Sequence, residues 1–284
     1  MLHRYFIKIS FDGTNYNGWQ VQKNSAHTVQ QKINEGLSKV LNEKIEVQGC
    51  CRTDTGVHAK ELFAHFDSVN SSLSLRRGKE GEALYKFNSI LPVDISIDGI
   101  YSVNENVSAR YDATARTYQY FIHSKRNPFL ANRSYYYYSE LDIALMNKAA
   151  KLLKKCQDFS AFSKVHTQVK TNKCKIYEAE WEKAPPKSSP LGRTYYSPLL
   201  TGGDGGGLLV FTIRADRFLR GMVRMIVGTM MLVGKHKITL SDFQKIVESK
   251  DCRNAGALVP ACGLYLTKVE YPALTLKGTK AQSK

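Results

Sequence analysis

The order in which two hydrophobic periods follow one another most constrains what this chain can fold into. Residues 3–13, HRYFIKISFDG, alternate and are rich in Ile, Phe and Tyr, the pattern of a strand with one buried face. After Thr28, a helix-capping residue, Val29, Ile33, Leu37, Val40 and Leu41 recur at helical spacing. Strands IEVQGCCR (45–52) and ELFAHFDSV (61–69), a charged helix near 80–90 and strand DISIDGIYSV (94–103) complete a β-α-β-β-α-β series.

The second half runs similarly. SARYDATARTYQYFIHS (108–124) and NRSYYYYS (132–139) read as strands, 142–155 as a helix, and CKIYEAEWEK (174–183) and GLLVFTIRAD (207–216) as a strand pair. Helices are expected over 218–234 and 241–249, and GLYLTKVEY (263–271) closes the half as a strand. The expected fold is α/β (α+β): two ferredoxin-like halves, 1–107 and 108–273, joined into one large, mostly antiparallel sheet flanked by helices. Residues 185–207 read as a Pro/Gly/Ser loop, and 274–284 as a disordered tail.

Composition narrows the class. Lys and Arg total 41 against 25 Asp and Glu, a net charge of +16 that favours a polyanionic partner, nucleic acid first. The longest apolar stretch, 218–234, carries Arg220 and Arg224 and is too short to span a bilayer comfortably, so no membrane segment is expected. The N-terminus shows no apolar signal region. Six scattered cysteines without a CxxC pair read as reduced thiols of a cytoplasmic protein; Cys50 and Cys51, adjacent on a strand, are expected on opposite faces. No histidine spacing fits a metal site.

The segment GCCRTDTGVHA (49–59) contains DTG, the triplet of aspartic proteases. Such a protease needs two carboxylates sharing one proton. Here one DTG exists, and Arg52, two residues before Asp54, would share its face of a strand and favour the ionised carboxylate. A lone aspartate on a basic protein is instead equipped as a nucleophile or base. In nucleic acid its electrophilic target is C1′ of a sugar, reached by extruding the nucleotide.

GCCRTDTGVHA resembles the G-x-G-R-T-D-[AT]-G-V-H-A motif of the tRNA pseudouridine synthase A family. FDGTNYNGWQ (11–20), ATARTYQYFI (113–122), FLRGMVRMIVG (218–228) and VPACGLYLTKVEYP (259–272) resemble further family blocks, in the family's order and over nearly the whole chain. The resemblance implies isomerisation of uridine to pseudouridine at positions 38, 39 and 40 of the tRNA anticodon stem-loop, without metal, nucleotide or redox cofactor, by a cytoplasmic homodimer.

It also implies roles. Asp54 matches the catalytic aspartate, nucleophile or sugar-directed base, and Arg52 the arginine that fills the gap left by the extruded nucleotide. Tyr118 matches the active-site tyrosine, Arg224 an arginine pairing with the aspartate, and Leu264 the apolar residue under the target base. On a helix over 218–234, Arg217, Arg220, Gly221, Arg224 and Gly228 share one face, which assigns Arg217 and Arg220 to phosphate. His58 either binds RNA or supports the DTG turn. Asp12, Gly13, Trp19 and Gln20 read as structural, with GWQ helping to pack a dimer. Val259 stands where the family usually has alanine. The rival reading is a non-catalytic RNA-binding module, but the RNP1-type strand such a module carries is missing from the sequence.

Overall fold

The computed structural model describes residues 2–22, 27–69, 80–164, 171–183 and 208–272. The expected loop at 185–207 and tail at 274–284 lie outside the described residues. Among those residues are nine strands and five α-helices in a mixed α/β arrangement with mostly antiparallel pairing. The chain divides into two compact units, Met1–Arg116 with Leu266–Lys284, and Thr117–Tyr265.

The first unit contains β1 (His3–Phe11), α1 (Val29–Leu41), β2 (Gln48–Gly49), β3 (His58–Ser68), α2 (Glu80–Asn88), β4 (Ile95–Val103) and most of β9 (Leu264–Glu270). Its strand order is β4-β1-β3-β9, with β2 beside β3. β1 is antiparallel to both neighbours, Phe6 standing opposite His65 and Tyr101. Phe6, Ile7, Ile9 and Phe66 are buried, as are Val29, Ile33 and Leu37 of α1. Each such side chain contributes about 1.5–3 kcal/mol of burial. The α1 boundaries follow from its caps: the Thr28 hydroxyl accepts from Gln31 N–H at 3.3 Å, and Asn42 ends the helix at φ 53°.

The expected strand over 45–52 shrinks to two residues, and α1 is the reason. The Ile45 and Val47 N–H groups donate to Ser38 Oγ and Asn34 Oδ1, both at 2.9 Å, and the Val47 carbonyl accepts from Gln30 Nε2 at 2.7 Å. Side chains at 30, 34 and 38, one stripe of the helix, take the backbone groups a longer ladder would need. β9 closes on this unit: Val269 N–H donates to Glu61 Oε1 at 3.0 Å, and Tyr271 packs edge-on against Phe6 and Phe63.

The second unit takes up β5 (Ala115–His123) from Thr117 and holds β6 (Tyr135–Tyr136), α3 (Ile143–Leu153), β7 (Ile176–Lys183), β8 (Leu208–Ala215), α4 (Met222–Gly234) and α5 (Leu240–Ser249). Its strands run β5-β8-β7, with β6 parallel to β5. Trp181 of β7 stacks on Phe211 of β8 at 4.9 Å, both buried. α4 starts at Met222 rather than 218, because Gly221 takes a left-handed φ of 73°. Arg217 and Arg220 therefore precede the helix, and the shared helical face expected for them with Arg224 does not form.

Candidate active site

In the first unit the sequence motif containing Asp54 is a loop, residues 51–57, between β2 and β3. Arg52 is exposed and Asp54 half-buried; neither lies on a strand, so strand alternation does not govern them. The loop turns on itself, Val57 N–H donating to the Asp54 carbonyl at 3.2 Å with Gly56 at φ 77°.

A second segment, FDGTNYNGW (11–19), supports this loop from beneath. Trp19 N–H donates to the Thr53 carbonyl and Gly56 N–H to the Tyr16 carbonyl, each at 3.3 Å. The two backbones approach so closely that side chains are excluded. A Cβ on Gly13 would lie 2.0 Å from the Val57 oxygen, and one on Gly18 would lie 2.4 Å from the Thr53 oxygen. Buried Trp19 stacks on Phe11, and Gln20 Nε2 donates to Gln30 Oε1 at 2.9 Å.

His58 is 2% exposed. Its Nδ1 lies 3.1 Å from Gly13 N and 3.1 Å from Asp12 Oδ1. One nitrogen cannot serve both at once: a ring with its proton on Nε2 accepts from Gly13 N–H, whereas a ring with a proton on Nδ1 donates to Asp12. Either way the imidazole ties the 11–13 segment to the loop's end, so of its two expected roles the burial favours support. A proton on His58 Nδ1, then the Thr14 hydroxyl and amide, hold the Asp12 carboxyl well below the usual carboxylate range.

Arg116 is a neighbour of the Asp54 loop to which the sequence assigns no role. The residue is 7% exposed, and its guanidinium donates to three backbone carbonyls: Ala113 at 2.8 Å, Arg110 at 2.9 Å and Cys50 at 3.2 Å. It anchors the strand end leading into the Asp54 loop. Its only signal in sequence was an arginine in ATARTYQY, which looks the same whether buried or exposed.

The second unit carries Tyr118, Arg217, Arg220, Arg224 and Leu264. Tyr118, on β5 and 6% exposed, meets Phe218 edge-to-face at 5.1 Å. Arg224, in the first turn of α4, donates from Nε to the Val259 carbonyl at 2.7 Å, which fixes the plane of its guanidinium. The next carbonyl, Pro260, accepts from Tyr120 Oη at 2.8 Å. Gly228 lets this segment reach α4: a Cβ there would lie 2.0 Å from the Ala257 oxygen. The glycine beside Arg224 thus serves backbone packing within the protein. Leu264 is 6% exposed at the start of β9, Arg217 is half-buried and Arg220 exposed. No group of three or more His, Cys, Asp or Glu among the described residues could hold a metal ion, and no described helix is long and apolar enough to cross a membrane.

A basic α/β protein with a buttressed aspartate loop in one unit and an arginine-bearing helix in the other is similar in sequence to known RNA-modifying enzymes. A family model described as tRNA pseudouridine synthase matches residues 149–272, a stretch that includes Arg217, Arg220, Arg224 and Leu264. A tRNA pseudouridine synthase A of Bacteroides thetaiotaomicron is 43% identical over 273 residues, 95% of this chain and 91% of the relative. Proteins of the same name from Azobacteroides pseudotrichonymphae and Clostridium acetobutylicum are 41% and 36% identical, covering 95% and 93% of this chain and 98% of each relative. This chain belongs to the tRNA pseudouridine synthase family.

Proposed function

We propose that this chain is an isomerase converting uridine to pseudouridine in tRNA, at positions 38, 39 and 40 of the anticodon stem-loop, with Asp54 as the catalytic group. The observation that carries the reading is the half-buried carboxylate on a loop held by Tyr16, Trp19 and the glycines at 13 and 18, in a chain whose family relatives span 95% of its length. A fixed backbone presents a carboxylate without reorganisation at the moment of reaction.

The reaction conserves atoms. The C1′–N1 bond of uridine breaks, the uracil turns in place, C1′ bonds to C5, C5 gives up its proton to solvent, and N1 takes one up. Asp54 acts either by bonding to C1′ or by taking a proton from the sugar. Arg52, exposed beside it, fills the space of the extruded nucleotide. Tyr118 offers a phenol face for stacking on uracil and Leu264 an apolar surface under it. Arg224 belongs to the catalytic set, and Arg217 and Arg220 meet phosphate. The net charge of +16 suits this substrate, and binding weakens steeply with salt as counterions are released. The enzyme works as a cytoplasmic homodimer in which one tRNA touches both protomers.

Mapping of pseudouridine in unmodified tRNA after incubation with the protein tests the assignment. New pseudouridine confined to positions 38–40 is the expected result; modification elsewhere, or none, overturns it.

A further inference from the structure

Cys50 and Cys51 do not point to opposite faces as a strand would place them. Their Sγ atoms lie 3.7 Å apart, Cys50 positioned to donate to Cys51. The strand has ended by this point, which is why alternation fails. Cys50 is 2% exposed, and its backbone is clamped on both sides: its N–H donates to the Phe63 carbonyl at 2.8 Å and its carbonyl accepts from Arg116. Cys51 is half-buried, within reach of solvent. Burial, then the contact with Cys51, pushes the Cys50 thiol well up. Cys50 therefore keeps its proton, and Cys51 is the sulfur that meets an electrophile first.

Two neighbouring sulfurs can be joined directly or through one atom. A disulfide needs sulfurs about 2.05 Å apart and favours Cα atoms about 4.4–6.8 Å apart, whereas consecutive Cα atoms sit about 3.8 Å apart. Direct closure is therefore strained. A one-atom bridge leaves the sulfurs unbonded, close to their present separation. Zinc asks for four ligands and finds two thiols here. What the pair suits is a trivalent, thiophilic centre that takes two sulfurs.

We propose that Cys50 and Cys51 form a vicinal dithiol site for trivalent arsenicals of the type R–As=O, and that capture there disables the adjoining Asp54 loop. Each sulfur forms one S–As bond, the oxygen leaves as water with the two thiol protons, and no oxidation state changes. The resulting ring locks the peptide that leads directly into Arg52-Thr53-Asp54. The binding half stands alone, while the inhibitory half rests on the proposed role of Asp54.

The test treats the full-length enzyme with phenylarsine oxide and follows the adduct by peptide mass mapping and turnover by tritium release from 5-tritiated tRNA. One arsenical per chain on the peptide holding residues 50 and 51, with turnover down about a hundredfold and restored by 2,3-dimercaptopropanol but not by a monothiol, is expected. Cys51→Ser, on the half-buried position, should keep its basal turnover and become resistant to the reagent, and Cys50→Ala, as a second variant, should likewise take up no arsenical. An adduct on other cysteines, or equal uptake by Cys51→Ser, overturns the site. An adduct at 50–51 with turnover unchanged overturns the coupling to the loop. Untreated enzyme without tritium release counts against the proposed function, not against the dithiol.

Discussion

With its proton on Nε2, the His58 ring accepts at Nδ1 a hydrogen bond from Gly13 N–H at 3.1 Å, joining the first residue of β3 to the segment beneath the Asp54 loop. The contact explains why a histidine two residues past DTG is buried. Replacing His58 by alanine leaves the buried Gly13 donor unpaired and should cost about 1–3 kcal/mol. Urea unfolding measures it, with an unchanged midpoint and slope as the contrary result.

Asp12 faces the same nitrogen, and whichever ring nitrogen carries the proton its carboxylate also accepts from the Thr14 hydroxyl and amide, at 2.6 and 3.0 Å. Its folded pKa is depressed, so its stabilising contribution is fully present above the unfolded aspartate value of about 3.9 and is lost as pH falls through that region toward the folded value. Asp12→Asn should be less stable than the parent at neutral pH and lose less stability on acidification from pH 6 to pH 3. Parallel acid-unfolding curves for the two proteins would refute this.

Arg116 holds three carbonyls with one planar group, a task a lysine ammonium does not reproduce. Both Arg116→Met and Arg116→Lys should therefore destabilise the protein, the first by about 3 kcal/mol, as partners of a buried charged donor are left unsatisfied. A shift of less than about 0.5 kcal/mol in chemical unfolding, the range of surface substitutions, would contradict the anchoring role.

Two glycines in helices should respond in opposite directions. At Gly228 an added methyl meets the Ala257 carbonyl oxygen at 2.0 Å, so Gly228→Ala must displace the segment that carries the Val259 carbonyl and should cost about 1–3 kcal/mol. At Gly81 of α2 nothing lies within 4 Å, and Gly81→Ala should stabilise by about 0.5–1 kcal/mol. Thermal unfolding of both variants checks the pair; equal shifts of one sign would deny the difference in packing.

The sequence made the element order legible because periodicity and caps agree: Thr28 marks the start of α1 to the residue. What it concealed were competitions for backbone groups. Gln30, Asn34 and Ser38 looked like an ordinary polar helix face, yet they take the donors and acceptors of residues 45–47 and cut β2 to two residues. Gly221 looked like a small residue inside an apolar helix, yet its positive φ moves the helix start to Met222 and removes Arg217 and Arg220 from the helix. The closing strand read as part of the second half, whereas Val269 and Tyr271 pack with Glu61, Phe6 and Phe63 of the first unit. The residues of the aspartate loop were visible as a motif, but its support from 11–19 was not, because the close approach of Gly13 and Gly18 to the backbone of Val57 and Thr53 leaves no periodic trace.

The claim that Asp54 performs the chemistry is tested most directly by Asp54→Asn, a near-isosteric change on a half-buried loop residue. With 5-tritiated tRNA, the variant is expected to bind the substrate as the parent does and to release no tritium above background. Release at the parent's rate would contradict the assignment.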